Sequence, residues 1–418
     1  MQVKSIMNRI QNHKGFIYGQ VSLRDQAGRL SFEIEIRARK GSRPVCSGCG
    51  KPGPGYDTQG TRRFEFVPLW GIAVFFLYAM RRVDCPACGV KVERVPWAEG
   101  KRHLTTTYAW FLAGWAKRLS WLEVARAFRT SWENVFRSVK MAVEWGLVHR
   151  DLDNVTSIGV DEICWRKKKE KFATLIYQLD AGRRRLLWIG KDRTARTFRD
   201  FFKWLGPERC QRLSFVCSDM WKPYLRIIAE MAPTAVNILD RFHVMSHMGK
   251  AIDKVRSDEV KELKNKGQVP VLSGGRWCLL KRPDNLTDKQ VDKLEDLLKC
   301  NLKTVRAYLL KEDFQRFWEY ISPGWAVKFL DEWCTRAMRS KLKPMKKVAK
   351  MLRNHRGLLL NWFIARGKIA LGCVEGFNNK AKVVTKRSYG FRSYDTLKIA
   401  LYHALGDLPE PKFTHRFC

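Results

Sequence analysis

Four apolar runs of strand length, SIGVDEICW (157–165), FATLIYQL (172–179), RLLWIG (185–190) and LSFVCSD (213–219), decide the reading of the fold. Turn residues separate the first three, and the helix-patterned TARTFRDFFKWLG (194–206) precedes the fourth. Three strands, a helix and a fourth strand in that order predict a mixed sheet in an α/β core. Two of the runs end on an acid, Asp161 after TSIGV and Asp219 after LSFVCS. One acid at a strand end is often only a turn residue or a helix cap. Two in one sheet are harder to dismiss and point to a site. Glu162 alternates to the opposite face if the strand continues, which leaves it outside that site.

Working outward, the texture changes on both sides of this core. From Phe16 to Arg37 apolar and polar positions alternate around a Gly-containing turn, and RRFEFVPL and GIAVFFLYAMRRVDC follow as further strands. From Thr106 to about His149 apolar residues recur at helical spacing. Beyond His243 strand signals fade and the chain becomes Lys-rich with a helical pattern, as a helical insertion would. The chain then closes as a helix, a basic loop and a last helix. The expected organisation is a β-rich region over 1–105, a helical segment over 106–150, the sheet core over 151–245, the insertion over 246–360 and the remainder of the core over 361–418.

Lys and Arg number 79 against 41 Asp and Glu, a formal net charge of +38. Charge of that size favours polyanions through counterion release, so nucleic acid leads over an anionic membrane surface. The longest apolar run, Pro68–Met80, falls well short of the roughly 20 residues of a membrane-spanning helix. The N-terminus lacks the apolar stretch of a secretory signal, so a cytoplasmic, nucleoid-associated protein is expected.

Twelve cysteines in a reducing compartment call for metal binding or core packing rather than disulfides. Cys46 and Cys49 lie in CSGCG, Cys85 and Cys88 in CPACG. Each pair is a knuckle turn whose two sulfurs can reach one ion, and together they make a four-thiolate structural zinc site. Four buried or redox cysteines are the alternative. Such a site has no open position for water and serves structure, not catalysis.

LSWLEVARAFRTSWENVFRSVKMAV (119–143) has the layout of a helix-turn-helix whose second helix Ser131 can cap. Trp132, Asn134, Arg137 and Lys140 would then project outward, suited to base edges and phosphates in a major groove. A helical hairpin packed on a core fits the same pattern. Glu375 lies in GCVEGFNNKAK (372–382), beside Asn378, Asn379 and Lys380 and ahead of the basic KRSYGFRSYD that contains Arg387. Three carboxylates from two strands and a helix can hold two divalent ions roughly 4 Å apart, a geometry for phosphodiester cleavage that uses magnesium or manganese.

CSGCG and CPACG, the helix-turn-helix, IGVDE, SDMWKPY, DRFHV, and VEGFNNKAK with YGFRSYD together resemble the ISL3 family of DDE transposases of bacterial insertion sequences, over nearly the whole length. The resemblance implies a ribonuclease H-like core interrupted by a helical insertion, with Asp161, Asp219 and Glu375 as the catalytic, metal-binding triad. It implies hydrolysis at a transposon end and transfer of the freed 3′ hydroxyl to target DNA, with double-stranded terminal repeats and target DNA as partners and a homodimer or higher oligomer on DNA. Ser131, Trp132, Asn134, Arg137, Lys140, Asn379, Lys380 and Arg387 are the expected DNA contacts. Asp240 and His243, in ILDRFHV, would lie beside the active site as accessory residues. The insertion accounts for the long interval between Asp219 and Glu375. The competing reading is a zinc and helix-turn-helix DNA-binding regulator derived from a transposase, which has no use for three converging acids.

Overall fold

A computed structural model describes residues 3–26, 28–166, 171–267, 271–281, 283–300, 302–366 and 373–412. The chain forms two compact units, one of residues 1–150 with 387–418 and one of residues 151–386.

The first unit opens with α1 (Val3–Ile10), which the sequence patterning did not announce, and continues as β1 (Phe16–Gln26), β2 (Arg29–Ala38), β3 (Gly55–Leu69), β4 (Ile72–Cys85) and β5 (Gly89–Val92). The strand order is β1-β2-β4-β3 with β5 on β4, antiparallel throughout except for β2 with β4. Alternation in RFEFVP turns Phe64 and Phe66 to the buried face, where they meet Phe76 and Tyr78 of β4. Trp97, 2% exposed, closes this core with edge contacts to Phe16, Phe64 and Tyr78 at 4.8, 6.0 and 5.2 Å. Trp97→Ala is therefore expected to cost about 3–5 kcal/mol, read as a lower urea midpoint for the loss of near-UV aromatic signal. An unchanged midpoint would mean that the ring is not part of a cooperative core.

Three helices follow: α2 (Thr106–Ala116), α3 (Trp121–Ala127) and α4 (Trp132–His149). Each starts at a hydroxyl cap. Thr105 and Ser131 accept from the amides of Tyr108 and Asn134 at 3.3 and 3.1 Å, and Ser120 forms a reciprocal capping box with Glu123.

The second unit is built on β6 (Ser157–Arg166), β7 (Lys171–Gln178), β8 (Arg185–Gly190), β9 (Phe215–Ser218) and β10 (Val236–Leu239), in the order β10-β9-β6-β7-β8. β6, β7 and β8 are antiparallel neighbours, while β9 and β10 continue the sheet parallel to β6. The sheet thus has a fifth strand beyond the expected four. Helices α5 (Ala195–Leu205), α6 (Pro207–Gln211) and α7 (Lys222–Met231) connect the later strands. Phe198, Phe201, Phe202 and Leu205 recur on one face of α5 and fill a core with Ile158, Val160, Val216 and Ile228.

After β10 the chain is helical: α8 (Arg241–Asn265), α9 (Arg276–Leu280), α10 (Asp288–Leu298), α11 (Lys303–Gln315), α12 (Pro323–Arg339), α13 (Lys343–Asn354), α14 (Arg356–Ala365) and α15 (Cys373–Arg387). Its lysines decorate a genuine core. Met248, Ile252 and Val255 of α8 pack with Phe314, Phe317, Trp333 and Leu352. Buried Glu259 receives the amides of Lys303 and Thr304 at 2.7 and 2.8 Å, so a carboxylate satisfies the positive end of α11. Asn361 of α14 ties the helices to the sheet by donating to the carbonyl of Asn237 on β10 at 2.7 Å.

The last helix, α16 (Tyr394–Leu405), clusters with the first unit, as do residues 387–418 as a whole. Its buried Leu397, Leu401 and Leu405 need an apolar partner, and α4 supplies one. Gly146 on α4 lets the chain after α16 come close, because a Cβ there would lie 2.6 Å from that of Leu408. Among the described residues no helix is long and apolar enough to cross a membrane.

Candidate active site and metal centres

Parallel pairing sets the acids side by side. Gly159 of β6 pairs with Cys217 of β9, and Cys217 with Ile238 of β10. Two residues further along each strand stand Asp161, Asp219 and Asp240, at the same edge of the sheet. Asp219 turns the chain, accepting from the Trp221 amide at 2.9 Å, and Asp240 caps α8 by accepting from the Phe242 amide at 2.8 Å. One turn into α8, His243 stands with Nδ1 3.9 Å from Asp240 Oδ2 and Nε2 3.9 Å from Asp161 Oδ1. Asp161, Asp240 and His243 each offer an atom within 4.8 Å of the other two, the tightest such grouping of acids and histidines among the described residues.

Asp161 is fixed from two directions. Its Oδ1 accepts from the Glu162 amide at 2.7 Å and its Oδ2 from the Asn378 side chain. Asn378 in turn accepts from buried Tyr177 at 2.8 Å, and Phe377 stacks on the Tyr177 ring at 4.8 Å. These contacts moor α15, whose first turn carries half-buried Glu375. Arg193 lies 3.6 Å from Asp219 Oδ2 and 3.3 Å from Glu162 Oε1, joining the two acids through one guanidinium.

The electrostatics are those of buried acids crowded together. Burial raises the pKa of Asp161, against the lowering pull of His243, and Asp219 adds repulsion. Asp240 is raised to about 6, chiefly by burial, with Asp161 and Glu375 pushing the same way and His243 opposing. Burial also raises Glu162, opposed by Tyr224 and Arg193. A divalent cation at this edge would relieve the repulsion and displace protons.

The structure thus brings Asp161 closest to Asp240 and His243. Asp219 and Glu375 stand in the next ring, near enough to repel Asp161 and Asp240 respectively. Three partners escaped the sequence reading: Arg193, Tyr177 and the clamp made by Asn378. Tyr177 read as one apolar strand position among several, and only the NN pair in FNNK hinted at Asn378.

Of the expected DNA contacts on α15, Asn379 and Lys380 are exposed, with Lys380 lying over the Phe377 ring at 5.8 Å. Arg387 donates to the Arg118 carbonyl and lies 3.9 Å from Glu123. On α4, Ser131 uses its hydroxyl as the cap, and Asn134 donates to Thr130 at 3.0 Å. Exposed Trp132 stacks on Phe136 at 5.4 Å, while Arg137 and Lys140 are exposed and pair with Glu133 and Glu144 at 2.8 and 3.7 Å. Surface pairs of this kind exchange readily for phosphate.

In the first unit Cys46, Cys49, Cys85 and Cys88 bring their sulfurs within 4.8 Å of one another. The Gly48 amide points at Cys46 Sγ, 3.3 Å away, and the Cys49 and Cys85 sulfurs are 3.6 Å apart. A tetrahedral ion with sulfur bonds of about 2.3 Å needs sulfurs about 3.8 Å apart, so the four thiols fit zinc. Amide donors, the Cys49 backbone foremost, lower Cys46 to about 7, and its neighbouring thiols push Cys88 up to about 12.

A family model described as a transposase, that of the ISL3 group of DDE transposases, matches residues 158–401, more than half of the chain. The chain belongs to the ISL3 family of insertion-sequence DDE transposases. Two relatives of this ISL3 protein extend the match into its first unit. It is 28% identical over 404 residues to the transposase for insertion sequence element IS1001 of Bordetella parapertussis, covering 95% of this chain and 97% of that one. It is 29% identical over 403 residues to the transposase for IS1557 of Mycobacterium tuberculosis, covering 89% and 88%.

Proposed function

We propose that this transposase binds the ends of its insertion element and cuts and rejoins DNA at the edge where β6, β9 and β10 deliver their acids. The observation that carries the reading is the convergence of Asp161, Asp240 and His243 within 4.8 Å, with Asp219 and Glu375 beside them. The sheet supports a ribonuclease H-like core, since an antiparallel β6-β7-β8 meander is extended by two strands parallel to β6. Asp161, Asp219 and Glu375 form the catalytic triad in this reading, and Asp240 with His243 completes the ligand shell. Magnesium or manganese ions, bound in a pair, would supply Lewis-acid polarisation of the scissile phosphodiester and lower the pKa of the attacking water or 3′ hydroxyl.

The chain's own part is positional. Tyr177 and Asn378 hold Asp161 in one rotamer, so its free lone pairs face the site before any ligand arrives. Arg193 offsets the repulsion between Asp219 and Glu162 by pairing with both. His243 faces both Asp161 and Asp240 through its two ring nitrogens, so one imidazole addresses both acids. The four cysteines would bind structural zinc, and α3 with α4 would present Trp132, Asn134, Arg137 and Lys140 to the terminal repeats. Asn379, Lys380 and Arg387 would meet the DNA backbone, in a dimer or larger assembly on the nucleoid.

The test is direct. Purified protein is mixed with a duplex carrying the element's end, with and without magnesium, and the nicks are mapped. Metal-dependent nicking at the element boundary is expected. In parallel, magnesium at about 100 times its dissociation constant should stabilise the wild type by about 2.7 kcal/mol and leave Asp161→Asn unshifted. End binding without any metal-dependent nick would favour the regulator reading instead.

A further inference from the structure

We propose that the cavity between α8, α9 and α11, bordered by Glu375, is a phosphodiester-binding subsite for one DNA strand passing the carboxylate cluster. The inference rests on the cutting reading above for its direction and on its own geometry for its chemistry. The cavity holds about 640 Å³, room for a strand's backbone but not for a duplex. Arg241, Lys250, Arg276 and Lys311 line it, against the acids Asp253 and Glu375.

The acids do not cancel the cations. Asp253 is occupied from two sides, 2.9 Å from Arg276 and 2.8 Å from Arg256. That pairing fixes the Arg276 guanidinium in place. Lys311 adds a nearly buried charge: its side chain is only 7% exposed, and its ammonium lies 2.8 Å from Glu312 Oε1 and 5.4 Å from the centre of the Tyr308 ring. An ammonium carries three donors, and one carboxylate does not use them all. Phosphodiester oxygens entering the cavity would complete it. Phe242, Met245 and Leu280 give the same cavity apolar wall on which a sugar or base can rest. Glu375 on its border places the bound phosphate next to the proposed scissile one.

Free phosphate esters share this chemistry, so the experiment compares a short single-stranded DNA with thymidine 5′-monophosphate. Binding to the full chain is measured in EDTA across a salt series, which makes the result independent of cutting. The double variant K250A/R276A should lose about tenfold in strand affinity and flatten the salt slope by about 1.4, at about 0.7 for each phosphate contact. Gly249→Leu tests space without touching charge. A Cβ at Gly249 meets only Leu280 Cδ2, at 3.9 Å, so the fold accepts it while the side chain fills the cavity, and a comparable loss is expected. The exposed pair K347A/K350A on α13 removes the same charge elsewhere and should cost no more than about threefold.

Unchanged strand binding in both cavity variants would overturn the subsite, as would an equal loss in the α13 pair. A mononucleotide that binds as tightly as the strand, with the cavity variants affecting it alone, would overturn the strand assignment. Should the wild type fail to nick element ends while the cavity variants still lose strand affinity, the subsite stands and the cutting reading falls.

Discussion

Asp161→Asn is expected to abolish metal-dependent nicking of an element-end duplex while end affinity stays within about twofold of wild type, since no phosphate contact is lost. The loss should far exceed the roughly 10–100-fold that removal of an outer-shell partner costs. The argument is one of position. Asp161 is the acid that both His243 and Asn378 address, and among the described residues it is held by hydrogen bonds from β6 and α15 together. Asparagine keeps an oxygen for the Asn378 amide and removes the charge, at the loss of the acceptor for the Glu162 amide. The fold should tolerate it: burial raises the Asp161 pKa, so at neutral pH its ionised form costs stability relative to the unfolded chain, and the substitution removes that cost. Asn378→Ala should fall in the 10–100-fold range, because it frees Asp161 without removing it. Nick mapping at saturating DNA separates the two. Wild-type nicking by Asp161→Asn would sink the assignment of the site.

Much of this arrangement could be read from residues alone, and the remainder could not for identifiable reasons. Asp161 and Asp219 stand out because each ends an apolar run long enough to be a buried strand. The run before Asp240, VNIL, is four residues long with Asn237 inside it, a short strand signal that pairing with β9 completes. That pairing places Asp240 level with Asp219, and the α8 cap turns His243 back toward Asp161, a juxtaposition no sequence spacing encodes. The longer apolar run before Asp219 makes that acid more visible in the sequence than Asp240, but run length measures burial and not distance to a common point. The α16 pattern shows that it needs an apolar partner but not which one; the structure pairs it with α4, where Gly146 leaves room for Leu408.

Cys85→Ser is expected to abolish end binding, by well over about 100-fold, while leaving metal-dependent stabilisation of the second unit intact. Buried Cys85 ends β4, and Cys88 opens the turn into β5, so one sulfur bridges the long sheet to the CSGCG turn that carries Cys46 and Cys49. With the ion gone, the Cys46–Glu93 bridge and the backbone bonds Arg94 to Val45 and Asp84 to Pro54 would still anchor the segment's ends, but the CSGCG tip would lose its sulfur links to the sheet. The aromatic core around Trp97 lies apart on β3 and β4 and should keep the rest of the sheet folded, so the expected signature is local: loss of about one zinc per chain by metal analysis, loss of end affinity, and a retained near-UV signal. Cys164→Ser, an exposed thiol of the second unit, serves as the control and should change none of these. End affinity indifferent to Cys46 or Cys85 would show that the thiolate cluster takes no part in recognition, and the burden of reading the terminal repeat would pass to α3 and α4 alone.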